Sequence, residues 1–234
     1  MRPGLRRLIG AVAIVIALLL AGRWTVAFVA ERWWAATLSP AAASFVGRWQ
    51  LLGIALDAGA IIVASAWFAV QALLVARVVA SVQVTHRFGD LQLREAIPTR
   101  VLLVAAVAAG VLLGLIAGAG AHAWREPIAL AWQGVTYGVK DPFLNEDVGT
   151  FVAQLPAWDL GHRFAALLAM LGLGFCVVLY AGIGALRVER RTLVVHPDAR
   201  RHLGILVAFV ALVIVAGYLL APYHLVATAT PALT

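Results

Sequence analysis

Two ionisable residues, Arg23 and Asp57, lie inside long apolar runs, where a charge is costly unless it has a partner or a function. Each lies about seven residues from the predicted outer end of its run. A rise of about 1.5 Å per residue therefore places both at a similar depth. We predict that they form an intramembrane ion pair. Two other uses stay open: Asp57 in a proton or ion path, and Arg23 extending its guanidinium to the headgroups.

Three histidines lie near the predicted outer ends of apolar runs: His122, His162 and His224. Imidazole is a common ligand of haem iron and of transition metals. Nothing in their spacing fixes a mutual geometry, so a haem-binding electron carrier is a minor alternative. Cys176 is the only cysteine, which excludes an intrachain disulfide and a cysteine-based metal site. We expect no cofactor, and we expect bound lipids.

The stretch "YGVKDPFLNEDVGTF", residues 137–151, holds the acids Asp141, Glu146 and Asp147. Carboxylate oxygens suit a hard cation such as Ca²⁺, but this spacing does not match an EF-hand loop, and Lys140 lies beside the acids. These residues are therefore only weak metal candidates. Helix caps, turns and solvated charges account for them, and we predict no metal site.

Motifs of enzymes are absent from the chain. It contains no nucleophile elbow, no phosphate-binding loop and no HExxH sequence. We predict that it is not an enzyme. The net charge of +7 could suggest nucleic acid, but no basic patch is interleaved with aromatic residues, so we expect no nucleic-acid partner.

The elements that carry these residues are predicted from hydropathy. The chain is 63% hydrophobic and 12% charged, with a mean hydropathy of +0.95, which is typical of polytopic membrane proteins. We predict an all-α fold in a single transmembrane domain over residues 1–234. Five transmembrane helices are expected, at about 8–30, 51–79, 100–121, 163–186 and 203–221.

Arginine placement predicts the orientation of these spans. The N-terminus, the second connection and the fourth connection contain most of the arginines: Arg2, Arg6, Arg7, Arg77, Arg87, Arg94, Arg100, Arg187, Arg190, Arg191, Arg200 and Arg201. The positive-inside rule makes this side cytoplasmic. The N-terminus is then inside and the C-terminus outside. A belt of tryptophans marks the opposite interface: Trp33, Trp34, Trp49, Trp124, Trp132 and Trp158.

Glycines at every fourth position form a small-residue ridge on the third predicted span: Gly110, Gly114 and Gly118. Such a ridge lets two helix backbones approach closely. Packing within the chain is the main interpretation, and docking to another subunit is the second.

The long outer connection, residues 122–162, has apolar residues at helical spacing in two places. We predict two short amphipathic helices lying in the interface, joined by a turn at Gly138 and Asp141–Pro142. In the second helix, Asn145 is expected to cap the start, and Pro156 to end it.

This connection also resembles a signature of a family of large, uncharacterised bacterial integral membrane proteins. The matching residues are Tyr137, Gly138, Asp141, Pro142, Asp147, Leu155 and Pro156. The stretches "ERWWAATLSPAAASFVGRWQLLG" and "YLLAPYHLV" are similar to two further regions of that family. The resemblance implies the N-terminal membrane region of larger proteins, in the bacterial cytoplasmic (inner) membrane. It implies no particular activity.

Taken together, these patterns favour a non-catalytic structural or accessory subunit of a larger membrane complex. Its partners would be the lipid bilayer and other membrane protein subunits. A transporter or channel component that uses Arg23 and Asp57 is the alternative.

Overall fold

A computed structural model describes residues 3–81, 99–189 and 192–229 of the chain. Within these ranges the protein is mostly helical, and a 3-10 turn (Ala121–Trp124) and a π-helical turn (Thr150–Gln154) precede two of the helices. The helices are α1 Pro3–Leu38, α2 Pro40–Ser81, α3 Thr99–Gly118, α4 Arg125–Gln133, α5 Leu155–Gly182 and α6 Pro197–Ala229; the strands are β1 Leu186–Glu189 and β2 Thr192–Val195.

Among the described residues, four helical segments are long and apolar enough to cross a membrane: Pro40–Val78, Leu103–Gln133, Thr150–Gly182 and Pro197–Thr228. Length and composition alone support this assignment. The first predicted span, about 8–30, belongs to α1 and is not among the four. Five spans and their orientation therefore stay predictions. Five of the arginines on which that orientation depends lie outside the described residues: Arg2, Arg87, Arg94, Arg190 and Arg191.

The chain divides into two compact units, residues 1–55 and 56–234, and the division falls within α2. In the first unit the chain reverses direction at Ser39, whose hydroxyl accepts the N–H of Ala42 at 3.0 Å and caps α2. Across this reversal the buried Gln50 donates to the carbonyl of Phe28 (3.1 Å) and to Glu31 (2.9 Å). The single domain predicted over residues 1–234 stays a prediction.

Helices α1 and α2 both extend beyond the apolar spans predicted for them. The tryptophan-rich stretch after residue 30 continues α1 to Leu38, and α2 begins at Pro40 rather than near residue 51. Hydropathy marks where apolar residues end, whereas a helix ends only where its backbone hydrogen bonds are interrupted. Here that interruption comes at Pro40, which has no N–H to donate.

In the second unit, α5 and α6 pack together around a buried cluster that includes Cys176, Tyr180 and Leu206. A smaller cluster of Ala64 and Phe68 joins α2 to Leu168 of α5. These side chains come from three separate helices. The core of this unit therefore depends on contacts between residues that are distant in sequence.

The glycine ridge of α3 lies against the backbone of α2. A methyl group added at Gly110 would lie 3.1 Å from the Phe68 backbone, and one at Gly118 would lie 2.5 Å from Ile61. At Gly114 it would overlap Ser65. All three glycines thus contribute to one close contact between helices within the chain.

The all-α prediction is wrong in one place, because β1 and β2 form an antiparallel hairpin between α5 and α6. The sequence "LRVERRTLVV" has apolar residues at alternate positions of its first strand, and β-branched residues in both strands. Sequence analysis treated this segment only as a basic loop.

The outer connection differs from its prediction as well. The first short amphipathic helix is present as α4, but the second is not a separate helix, because a π-helical turn runs directly into α5. Pro156 lies in the first turn of α5, where a missing N–H has little cost. It therefore does not end a helix. Asn145 does not cap one either, because it adopts a left-handed conformation (φ 57°) within the loop.

Candidate functional site

The loop between α4 and α5, residues 134–149, is organised around the carboxylate of Asp147. One of its oxygens accepts N–H groups from Tyr137 (3.0 Å) and Gly149 (2.7 Å), and the other accepts the N–H of Gly138 (2.8 Å). Three backbone donors from both sides of the loop therefore converge on one side chain. A carboxylate is suited to this position because a negative acceptor makes the stronger kind of hydrogen bond.

These donors also change the acidity of Asp147. The hydrogen bonds from Tyr137, Gly149 and Gly138, together with the charge of Lys140, hold the pKa of this carboxyl below its ordinary value of 3.8, and partial desolvation opposes them. The shift favours the charged form because every one of these donors stabilises the negative oxygens. Asp147 is thus ionised throughout the neutral and mildly acidic range.

Asp141 arranges the other end of the loop. Its carboxylate accepts the N–H groups of Phe143 (2.9 Å) and Leu144 (2.7 Å), which is an Asx turn across Pro142. The strand-like pair Lys140 and Asp147 then closes the loop on itself. Both motif carboxylates accept backbone N–H groups, and among the described residues no three His, Cys, Asp or Glu side chains are grouped to hold a metal.

The base of the loop fits tightly against the start of α5. Gly149 is buried, and a side chain there would collide with the carbonyl oxygen of Val135. Leu155, another residue of the motif, is 4% exposed. Trp124 contacts Phe164 with their ring centroids 5.2 Å apart. The residues that carry the resemblance to a known family are therefore those that fix the backbone of this loop and pack it against α5.

The outward surface of the loop carries large apolar side chains. Three exposed residues of the loop are Phe143 (72%), Val139 (62%) and Tyr137 (54%), and Trp132 (88%) is exposed near the end of the preceding α4. The described chain leaves these side chains uncovered, although their burial would be favourable by about 25 cal/mol per Å². A rigid loop with exposed aromatic residues is suited to binding another surface.

Each outer histidine has a protein partner. His122 donates its backbone N–H to Asp57 (2.7 Å), and its ring Nδ1 lies 3.1 Å from the same carboxylate. His224 lies 2.8 Å from Asp159. His162 lies 3.0 Å from the carbonyl of Val213. The first contact joins the 3-10 turn after α3 to α2, and the other two join α5 to α6.

The predicted partner of Asp57 was Arg23. Asp57 instead lies within bonding distance of His122 in the second unit, while Arg23 belongs to the first unit, where its side chain is exposed. The pair between Arg23 and Asp57 stays a prediction.

Two contacts between helices share one geometry, in which an aromatic ring approaches a backbone carbonyl beside a glycine. Trp67 donates its indole N–H to the carbonyl of Leu168 (3.0 Å) and lies over Gly172, four residues further on. His162 approaches the carbonyl of Val213 and lies over Gly217, again four residues further on. In a helix the residue at i+4 flanks the carbonyl of residue i, so glycine at that position lets a neighbouring ring reach it.

A buried polar network lies near the other end of α5 and α6. The Nε2 of His202 is 2.8 Å from the Gln71 side-chain oxygen, and its Nδ1 is 2.8 Å from the Tyr180 hydroxyl. Because that Gln71 oxygen can only accept, Nε2 carries the proton and Nδ1 accepts from Tyr180. Cys176 contributes a weak S–H contact to the same oxygen at 3.9 Å. Sequence analysis missed this network, because Gln71 and His202 are 131 positions apart.

These features define a class: a helical membrane protein whose polar side chains join its helices, with a motif-built loop between two candidate spans. The chain belongs to the uncharacterised protein family UPF0182, whose family model matches residues 8–233. The suspected resemblance to an uncharacterised bacterial membrane family is therefore confirmed.

Individual relatives are similar over about half of the chain. A UPF0182 protein of Geobacter sp. (strain M21) is 30% identical over 58% of this chain and 15% of its own length. One from Salinispora tropica is 37% identical over 47% of this chain and 11% of its own length. The matched regions thus cover less than a sixth of these relatives. No solved structure is significantly similar to the chain.

Proposed function

We propose that this chain is a non-catalytic structural or accessory module of a larger assembly in the bacterial cytoplasmic membrane. The observation that carries the proposal is the outer loop, in which Asp147 and Asp141 fix the backbone and leave Phe143 exposed. A loop rigidified by its own acids loses little conformational freedom on binding, so its exposed aromatic residues are favourable anchors for a partner. The five spans, with N-terminus inside and C-terminus outside, belong to the same proposal.

The remaining polar groups agree with a structural role. Asp57, Asp159 and Asp141 each have a hydrogen-bond or ion-pair partner close by, and both ring nitrogens of His202 lie within hydrogen-bond distance of a side chain. Polar side chains that bond one another in this way join helices within a membrane. Such groups need no substrate to account for them.

The test is purification in a gentle detergent from the native membrane, with mass spectrometry and an absorbance spectrum of the same peak. We expect stoichiometric companion proteins with the wild-type chain, and their loss with Phe143→Ser. The matched control is Val194→Ser, an exposed apolar residue of the β-hairpin (37%). A colourless monomer or homo-oligomer from wild-type membranes would exclude the accessory role.

A transporter or channel component is the alternative function. The observation in its favour is the pair of Asp57 and His122, whose side chains are 33% and 54% exposed, so that a titratable group in a candidate span is open to its surroundings. Ionisable groups at such positions often mark ion or proton paths. Flux into proteoliposomes that is abolished by Asp57→Asn would support this alternative over the accessory role.

A further inference from the structure

The hairpin of β1 and β2 is held close to the ends of two candidate spans. α5 ends at Gly182 and α6 begins at Pro197, and both belong to helices long and apolar enough to cross a membrane. The N–H of His196 donates to the carbonyl of Ala185 at 2.9 Å and closes the base of the hairpin. Because four strand residues extend only about 13 Å, the hairpin reaches no further than about that distance from the ends of the two spans.

One face of the two strands is apolar along their described residues. Leu186 pairs with Val195, and Val188 pairs with Leu193, so these four side chains share a face. At the base, Leu186 and Val195 pack against the buried cluster between α5 and α6. Further out, Val188 is 73% exposed and Leu193 is 62% exposed. The face that touches the helix ends therefore continues as uncovered apolar surface.

The charge around this face is strongly positive. Between residues 186 and 201 the chain has five arginines and two acids. Arg200 and Arg201 have exposed side chains in the first turns of α6, while Arg190 and Arg191 lie outside the described residues. An apolar face beside arginines at headgroup level is complementary to an anionic phospholipid surface.

We propose that the hairpin docks on the adjacent leaflet, with Val188 and Leu193 inserted among the lipids and Arg200 and Arg201 bound to anionic headgroups. The small apolar face binds lipid only weakly by itself, since one pair of aliphatic side chains buries little area. The arginines make the contact selective for anionic lipid. This docking requires residence in a membrane, and it does not depend on the accessory role.

The test measures the depth of single labelled cysteines in the full chain, with Cys176→Ala as background. Leu193→Cys reports the apolar face, and the matched control Val194→Cys reports the opposite face of the same strand. Each cysteine variant is labelled with a small fluorophore and reconstituted in vesicles. The vesicles consist of phosphatidylcholine alone or of phosphatidylcholine in which a quarter of the lipid is phosphatidylglycerol. A lipid with a spin label near its headgroup is the quencher.

We expect the Leu193 probe to be quenched severalfold more than the Val194 probe in the anionic vesicles. Neutral vesicles, and the double change Arg200→Gln with Arg201→Gln, should each bring the quenching of the two probes close together, because both changes weaken the attraction between the arginines and anionic headgroups. Equal quenching at the two positions, or the same quenching with and without anionic lipid, would overturn the proposal.

A probe at Val215 distinguishes two causes of a negative result: a hairpin that does not dock, and a chain that is not inserted in the membrane. Val215 is 54% exposed in the apolar middle of α6, so its probe should be quenched by deeply labelled lipid in every vesicle. If it is not, the chain does not span the bilayer and docking fails with it. If the Val215 probe is quenched and the Leu193 probe is not, the chain is inserted in the membrane and only the docking of the hairpin is wrong.

Discussion

Asp147 accepts N–H groups from residues on both sides of the outer loop, and the loss of its charge is expected to loosen that loop. We predict that Asp147→Asn speeds amide hydrogen exchange at Tyr137, Gly138 and Gly149, because a neutral amide oxygen holds these donors less strongly than a carboxylate. Hydrogen exchange with mass spectrometry measures the change. Glu146→Gln, at an exposed side chain in the same loop, is the matched control and should leave exchange unchanged.

The same residue predicts a pH dependence. The pKa of Asp147 in the folded loop lies below its ordinary value of 3.8. Its contribution to stability is therefore complete above that value and is lost as the pH falls through the lower folded pKa. Exchange at Gly138, corrected for its intrinsic pH dependence, should be constant from neutral pH to about pH 5 and should rise in stronger acid. A rise already between pH 7 and pH 5 would contradict this assignment.

Gly172 and Gly174 provide a matched pair on α5. A methyl group at Gly172 would lie 2.5 Å from the indole nitrogen of Trp67, whereas one at Gly174 would meet nothing within 4 Å. We predict that Gly172→Ala destabilises the protein by about 1–3 kcal/mol, and that Gly174→Ala changes stability by less than about 0.5 kcal/mol. Thermal unfolding in detergent, followed by tryptophan fluorescence, distinguishes the two. Equal effects would mean that Trp67 does not depend on the gap at Gly172.

The buried network is expected to act as a unit. Tyr180→Phe removes the donor to His202 and leaves a buried nitrogen unpaired, at a cost of about 1–3 kcal/mol. Gln71→Leu removes the acceptor on the other side of the ring. We predict that the double variant loses less stability than the sum of the two single variants, by about 0.5 kcal/mol or more. Additive losses would show that His202 does not couple them.

At the scale of elements, the helices could be predicted from the sequence because long apolar runs constrain a chain strongly. The predicted spans lie within α2, α3, α5 and α6 or overlap their ends. The ends were less predictable. Pro156 is compatible both with the end of a helix and with the first turn of one, and its position in α5 depends on Leu155 being buried against neighbouring elements. That burial is a tertiary effect.

The β-hairpin shows a second limit. Its arginines were interpreted only as a signal of orientation, although Leu186, Val188 and Val194 have the side chains of strands. Isolated two-stranded hairpins are marginal in water. This one is stabilised at its base by the cluster between α5 and α6, which sequence patterns do not reveal.

The contacts of the candidate site were the least predictable. Asp57 and His122 are separated by 65 positions, and so are Asp159 and His224. No local pattern specifies such pairs, because their approach depends on how whole helices pack. The loop motif could be found by resemblance, but its role as a set of backbone acceptors required the geometry of Asp147.

At the scale of the whole molecule, the outer loop and the β-hairpin lie at opposite ends of α5, which is long enough to span a bilayer. We predict that Val139→Cys is labelled by a membrane-impermeant maleimide from the outside of intact cells, and that Val194→Cys, on the hairpin face opposite Val188 and Leu193, is labelled only after lysis. Both side chains are exposed, so neither should be hidden by the fold. Labelling of both from the same side would exclude a transmembrane α5.

The most direct test of the central claim, that the outer loop anchors this chain to a partner, is photo-crosslinking in native membranes from a benzoyl-phenylalanine at Phe143. We predict one discrete protein adduct in the wild-type background, and its loss when Asp147→Asn loosens the loop. The same probe at Val215 on α6 should give no such adduct. Absence of an adduct from Phe143, or an adduct unaffected by Asp147→Asn, would contradict the claim that this rigid loop is the attachment point.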